Sequence, residues 1–361
     1  MPQNASPATV TPFPQPAAPV ATPAPLALQV SGLWKVFGAT AAAFAATAPD
    51  ERNPESLARR GWLGAVQDAQ FSIAKGEVFV IMGLSGSGKS TLLRCLTRLI
   101  DPSAGSVLLN GQDICTANDA TLLALRRRHM GMVFQHFALL PNRTVLGNIT
   151  FPLEVQGMKR AQAEQRARAL IETVGLSGRE ARFPAELSGG QQQRIGIARS
   201  LATDPDFWFL DEPFSALDPL IRADLQDEVL RLQRGLGKTV VFVTHDLDEA
   251  IKIADRVAIM EGGRIVQIGA PEDLVTKPAT DYVRRFVAKI PAARVVRVRS
   301  LMQPWTGDVV AADPVLASAT ISDIAPRLIA GMAMLPVVDA SGARVGMLDR
   351  VAALVVLAGG V

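Results

Sequence analysis

Residues 78 to 96 constrain this chain more than any other stretch. The apolar run Val78-Phe79-Val80-Ile81-Met82 meets Gly83-Leu84-Ser85-Gly86-Ser87-Gly88-Lys89-Ser90-Thr91, and a helix-like Leu92-Leu93-Arg94-Cys95-Leu96 follows. An unbroken apolar run of this length reads as a buried strand of a parallel sheet. The glycines let the backbone turn so that successive N–H groups point at one phosphate chain. A helix that begins at those phosphates adds its unpaired N–H groups and its dipole to the attraction. The pattern places Lys89 on the β- and γ-phosphates of a nucleotide and the Ser90 hydroxyl on Mg²⁺, with Gly83, Ser85, Gly86, Ser87, Gly88 and Thr91 completing the cradle.

The chain has 361 residues, 48% of them hydrophobic and 20% charged, enough for about two domains with their own cores. A formal net charge of +3 with no concentrated basic face argues against a nucleic-acid partner. Only Cys95 and Cys115 are present, which excludes a disulfide framework and suits a reducing compartment. The first charged side chain is Lys35, so the start lacks the basic character of a secretory signal. The most apolar stretch, Val351 to Val361, is too short to cross a bilayer and reads as the end of a packed domain.

Residues 1 to 27 are rich in Pro, Ala and Thr and read as a disordered tail, with ordered structure starting near Leu26-Ala27-Leu28-Gln29-Val30. Trp34-Lys35-Val36-Phe37-Gly38 follows. An aromatic ahead of a P-loop can stack on a nucleobase, and Phe37 is the first choice for that role with Trp34 the second. A core position for both is an equal alternative. The Ala-rich segment from Ala39 to Arg60 reads as a short surface helix, and Gly64 to Ile73 as a strand. Ser106 to Gly111 reads as a strand ending in an Asn-Gly turn. Arg126-Arg127-Arg128-His129 reads as a solvated helix end. Three further apolar strands end in polar residues: Met130 to Phe134 at Gln135, Phe207 to Leu210 at Asp211-Glu212, and Thr239 to Val243 at Thr244-His245. Strands alternating with helical stretches give an α/β fold with a parallel sheet, whose ligand lies beyond the strand C-termini.

Transferring a phosphoryl group from ATP to water needs a cradle, a metal and a means of aiming the water. Asp211 would hold Mg²⁺ together with Ser90, and Glu212 would polarise the attacking water. Adjacent carboxylates at the end of a buried strand are costly without a cation. His245 would hold the γ-phosphate and the water through its ring nitrogens.

Gly83 to Thr91, Gln135, Leu187-Ser188-Gly189-Gly190-Gln191, Asp211-Glu212, Ser215-Ala216-Leu217-Asp218 and His245 together resemble the ATP-binding-cassette ATPases over residues 28 to 287. The resemblance implies a P-loop cassette fold with a mixed or parallel core sheet, a helical subdomain at about 130 to 200 and an antiparallel β subdomain. It also implies a head-to-tail homodimer in which Ser188, Gly189, Gly190, Gln191 and Asp218 of one chain complete the ATP site of the other. Gln135 would join Ser90 and Asp211 at the Mg²⁺ ion and stand beside the attacking water.

Val133 to Pro141, Thr144 to Asn148, Ala216 to Arg222, Thr244 to Ala250 and the insertion between Phe37 and Val66 are similar to the glycine betaine/proline, or quaternary-amine, importers. That implies integral membrane permease subunits, an external solute-binding protein, and a peripheral position on the cytoplasmic face of a bacterial inner membrane. An importer of another solute such as an amino acid is the alternative, with a soluble cassette protein a remote one. Behind the cassette, residues 288 to 299 read as a basic linker. The stretch from Arg284 to Arg299 would dock on anionic lipid at low salt and let go as salt screens it, with a plain solvated linker the equal alternative. Residues 300 to 361, with Leu335-Pro336-Val337-Val338-Asp339 and Val345-Gly346-Met347-Leu348, resemble one CBS motif, a small α/β unit. A lone copy is expected to pair with that of the other subunit.

Overall fold

The computed structural model describes residues 25–135, 138–215, 217–305, 313–331 and 333–359. The expected tail up to residue 24, and His136, Phe137 and Ala216 of the motifs above, lie outside the described residues.

The P-loop strand Val78–Met82 lies inside a six-stranded sheet, between Arg256–Glu261 and Thr239–Thr244. Phe207–Asp211 and Met130–Val133 continue the sheet in parallel, and Arg264–Gly269 closes the other edge antiparallel. Each residue of Val78–Met82, Phe207–Asp211 and Thr239–Thr244 is buried, as strands covered on both faces require. Their side chains alternate between two cores. Val78, Val80 and Met82 join the core under the helical layer, while Phe79 and Ile81 join the core under the second sheet.

That second sheet is antiparallel and runs Leu63–Ala74, Leu26–Phe37, Ala104–Leu109, Gln112–Asp113. Asn110 and Gly111, with φ of 47° and 82°, form the two-residue turn between its last two strands.

The insertion from Ala39 to Arg60 differs from the single surface helix expected. It forms helices Ala41–Ala45 and Pro54–Arg59 with a 3₁₀ turn at Pro49–Glu51 between them. Prolines supply no N–H and are best accommodated in the first turn of a helix, where Pro49 and Pro54 each stand at the start of a new helical segment. Phe44 and Leu57 are buried against Trp34 and Val36, with the Phe44 and Trp34 ring centroids 5.2 Å apart. The insertion is therefore anchored by its own small core.

Helices Val145–Val155, Arg160–Thr173 and Gly189–Leu201 form the helical layer, meeting through residues such as Ile149, Leu153, Ala167 and Ile195. Met130–Val133 pairs with Phe207–Leu210, so the helical part begins after it. Arg126 is more engaged than a solvated helix end. Its guanidinium donates to the Thr97 and Arg98 carbonyls where the P-loop helix Lys89–Leu96 finishes.

The segment read as a basic linker is folded. Ala292, Ala293, Val296 and Val298 share a core with Leu335, Val337 and Leu348, because apolar residues interleave with the arginines. Arg297 and Arg299 lie 3.4 and 3.5 Å from Glu272 of the helix Pro271–Thr276. The C-terminal sheet runs Gln303–Pro304, Arg344–Asp349, Met334–Val338, Val315–Leu316, with helices Ala325–Ile329 and Arg350–Leu357. No helix among the described residues is long and apolar enough to cross a membrane.

Cys95 lies fully buried in the P-loop helix, and burial pushes its thiol up to about 12. The same effect, reinforced by the Asp113 carboxylate, takes Cys115 to about 11. Thiolate is the reactive form. In the native protein at neutral pH Cys95 should thus resist a disulfide reagent such as Ellman's, with both thiols reacting in denaturant. Rapid native labelling of Cys95 would contradict its packing.

Candidate active site

The P-loop curls between the end of the buried strand Val78–Met82 and the start of the helix Lys89–Leu96. Glycine is obligatory at Gly83, with φ of 154°, where a Cβ would stand 2.3 Å from the Met260 carbonyl. The loop floors a cleft of about 890 Å³, within the range of about 300–1,000 Å³ usual for small-molecule sites. Ser85, Gly86, Gly88, Lys89, Ser90 and Thr91 line it.

Lys89 Nζ donates to the carbonyls of Gly83 and Leu84 at 3.0 Å each. Burial lowers its pKa, and the carboxylates of Glu212 and Asp211 pull in the opposite direction. Ser87 Oγ is buried in the loop without a hydrogen-bond partner. The Lys89 ammonium is a donor that a phosphate would satisfy, while Ser87, whose orphan hydroxyl packs toward Gly83, and Gly83 itself shape the loop without lining the cleft. These residues therefore fit a nucleoside triphosphate.

Ser90 Oγ donates to Asp211 Oδ1 at 2.9 Å, and Arg94 lies 3.9 Å from the same carboxylate. Burial raises the Asp211 pKa, opposed by the Ser90 hydrogen bond and by Arg94. A carboxylate and a hydroxyl at this spacing, beside a phosphate cradle, fit Mg²⁺, which keeps most ligands as water and phosphate.

Glu212 turns the other way. Its φ of 43° is in the left-handed region, and its N–H donates to the Val243 carbonyl at 3.0 Å. Such backbone conformations cost about 1–3 kcal/mol and concentrate at functional sites. The turn separates the adjacent carboxylates, so that Glu212 Oε2 lies 3.0 Å from His245 Nδ1 while Asp211 points at Ser90. Glu212 is mostly enclosed, whereas the His245 ring is 58% exposed. Gln135, beyond the edge strand Met130–Val133, completes the group at the strand ends. The cleft thus gathers a phosphate cradle, a metal corner and a carboxylate–imidazole pair.

The sequence puts Phe37 before Trp34 and leaves a core position open for both, and the structure separates them. Phe37 is 40% exposed and lines the cleft, while Trp34 is buried beneath Phe44. Ser188 to Gln191 are not part of the cleft lining. They begin the helix Gly189–Leu201, where Ser188 Oγ accepts from the Gln191 N–H and Gln191 Oε1 accepts from the Ser188 N–H. Asp218 caps the helix Pro219–Leu236 by accepting from the Ile221 N–H. A Cβ on Gly190 would meet Ile221 Cγ2 at 2.6 Å, so these two helix starts are neighbours.

Two parts of the cleft escaped sequence reasoning. The hairpin tip at Gly262 and Gly263 forms one wall, tied to Gln67 by the Gly263 and Gly262 carbonyls at 2.7 and 2.8 Å. Glu261-Gly262-Gly263 reads only as a turn, since its partner is almost 200 residues away. Trp62 is the other, and its signal was the aromatic that ends the insertion.

The family model described as ABC transporter matches residues 66–215. A trimethylamine N-oxide transport system ATP-binding protein of Ruegeria pomeroyi is 50% identical, over 91% of this chain and 96% of the relative. A glycine betaine/proline betaine transport system ATP-binding protein of Escherichia coli is 45% identical, over 76% of this chain and 69% of the relative. Among solved structures, a dimeric ATP-binding cassette in a post-hydrolysis state bound to ADP and Pi matches with a TM-score of 0.57 and 31% identity, over 68% of this chain and 98% of that chain.

Proposed function

The chain belongs to the ATP-binding-cassette ATPases, in the group that serves quaternary-amine importers, and on that footing we propose that it powers uptake of a small trimethylated amine, trimethylamine N-oxide or glycine betaine. It is an ATPase that uses ATP and Mg²⁺ and works as a dimer with membrane permease subunits and a solute-binding protein. Its own place is peripheral, on the cytoplasmic face of the inner membrane. The observation that carries the mechanism is the division of the site. The cleft contains Lys89, Ser90, Gln135, Glu212 and His245, while the exposed Ser188 cap is elsewhere on the same chain.

On this reading Lys89 and the P-loop amides bind the triphosphate, and Ser90, Asp211 and Gln135 hold the metal. Mg²⁺, when bound, offsets the negative charge of the β- and γ-phosphates. Glu212 takes the proton of the attacking water, and His245 positions that water and the γ-phosphate. Ser188, Gly189, Gly190 and Gln191 of the second copy present a helix start, an anion cradle, to the same phosphate. ATP then closes the dimer and hydrolysis releases it. Residues 28 to 287 form the cassette, and the following residues form a C-terminal unit. Ile329, Val351 and Val355, exposed on its two helices, provide the face through which two such units pair.

Support for the solute class comes from the two transport relatives. Likeness to the trimethylamine N-oxide relative runs nearly the full length of both chains, which ranks that solute first. The test is uptake of labelled trimethylamine N-oxide, glycine betaine, choline and proline in cells carrying the wild-type chain or Glu212→Gln. Entry of trimethylamine N-oxide or betaine only with the active chain is expected. Uptake of all four that ignores the substitution would overturn the solute class.

A further inference from the structure

The insertion ends at Trp62, and nothing in the phosphate chemistry requires an aromatic there. Its place in the fold is specific. Phe37 and Leu63 are cross-strand partners at the base of the long hairpin, so Trp62 stands opposite Gly38. A Cβ at Gly38 would lie 3.4 Å from Trp62 Cδ1, and the absence of one leaves the ring room to lie there. The ring is fixed by its neighbours. The Arg60 guanidinium lies over it, 5.4 Å from the centroid, and that guanidinium is paired with Glu51 on the 3₁₀ turn. The backbone N–H of Trp62 donates to the Leu57 carbonyl at 2.9 Å, which ties its main chain, not its ring, to the insertion, and Leu57 is buried in the core of the insertion.

Trp62 is half-buried and lines the same cleft as Phe37 and the P-loop. Pro54 and Ala58 of the insertion line it as well. One wall of the cleft is thus apolar and aromatic, built by the antiparallel sheet and the insertion, and is separate from the polar strand ends that carry Glu212 and His245. A nucleotide has the matching asymmetry, a flat π-surface at one end and a charged chain at the other.

We propose that Trp62 is a second nucleobase-binding residue, which together with Phe37 grips the purine of the bound nucleotide, and that the insertion exists in part to hold it there. This rests on the nucleotide reading of the cleft and adds to it a base-dependent share of the affinity. Phe37 supplies one aromatic surface from the strand Leu26–Phe37 and Trp62 supplies another from the approach to the strand Leu63–Ala74. The contribution belongs to the base, so it should be absent for a ligand that has only phosphates.

The experiment uses the purified full-length chain and two probes, MgATP and Mg-tripolyphosphate, with affinities from calorimetry. Of the four tryptophans, Trp34 and Trp208 are buried in cores and Trp305 lies beneath Arg344 in the C-terminal unit. Trp62 alone lines the cleft, so MgATP should quench the intrinsic fluorescence of the wild-type chain and not that of Trp62→Phe. Trp62→Ala should weaken MgATP about tenfold, the scale of one base-on-aromatic stack, and leave tripolyphosphate unchanged. Trp62→Phe, which keeps a ring and the packing of the insertion, should recover most of the loss. Undiminished quenching in Trp62→Phe, or equal weakening of both ligands in Trp62→Ala, would overturn the assignment. If the wild-type chain bound neither ligand, the nucleotide site beneath it would fall too.

Discussion

Glu212→Gln should bind MgATP with wild-type affinity and lose hydrolysis by about a hundredfold or more, the usual scale for a general base. The change is nearly isosteric, and the strained backbone at φ 43° is untouched, so the amide still reaches His245. What it removes is the capacity to accept a proton. A neutral amide also lifts one negative charge from beside Asp211, whose burial already opposes ionisation. Metal and nucleotide should therefore bind at least as well as before. With ATP loaded and not cleaved, the variant should accumulate as a closed dimer, visible by light scattering as ATP-dependent doubling of mass. Turnover within threefold of wild type would remove Glu212 as the base and shift attention to His245.

How far the sequence shows this site depends on whether a residue's role is set locally. Val78–Met82, Phe207–Asp211 and Thr239–Thr244 read as central strands because each residue is apolar or terminal to the run, and burial on both faces demands that composition. Gln135, Asp211, Glu212 and His245 stand out as polar residues where such runs stop. The divergence of Asp211 and Glu212 is less legible. It depends on a left-handed Glu212 held by Val243 of the neighbouring strand, a partner that residue types alone do not identify.

The sequence ranks Phe37 before Trp34 but leaves a core position open for both, because Phe44 decides the matter by covering Trp34 from an insertion whose fold is set by where Phe44 and Leu57 bury. The supposed linker failed for the opposite reason. Its arginines give it the composition of a solvated linker, yet Ala292, Ala293, Val296 and Val298 carry the packing, and Glu272 receives two of the arginines. The Ser188 cap is legible as a helix start by its capping box, but its distance from the P-loop cleft is a property of the whole fold. The absence of the cap from the cleft lining is what the proposed second copy would answer.

Gly88→Ala should remove most nucleotide binding, and its neighbours explain why. Gly88 has φ of 101° at the start of the P-loop helix, and a Cβ there would stand 2.1 Å from the Ala65 carbonyl. That oxygen belongs to a strand backbone and cannot swing aside. The seam is tight on a second side, since a Cβ on Gly263 would meet the Gly64 carbonyl at 2.6 Å. Backbone strain of about 1–3 kcal/mol adds to an overpacking cost of about 1–3 kcal/mol, and the loop relieves both by moving away from Ala65. Its N–H groups then no longer converge on one phosphate chain, so the ATP dissociation constant should rise more than tenfold. Gly111→Ala is the matched control: φ is 82°, nothing lies within 4 Å of the added carbon, and the turn is outside the cleft lining. It should lose stability by backbone strain alone, about 1 kcal/mol, and bind ATP as the wild type does. Calorimetric titration of both variants separates strain from collision. If Gly88→Ala binds ATP within threefold of wild type, the seam with Ala65 does not set the shape of the P-loop.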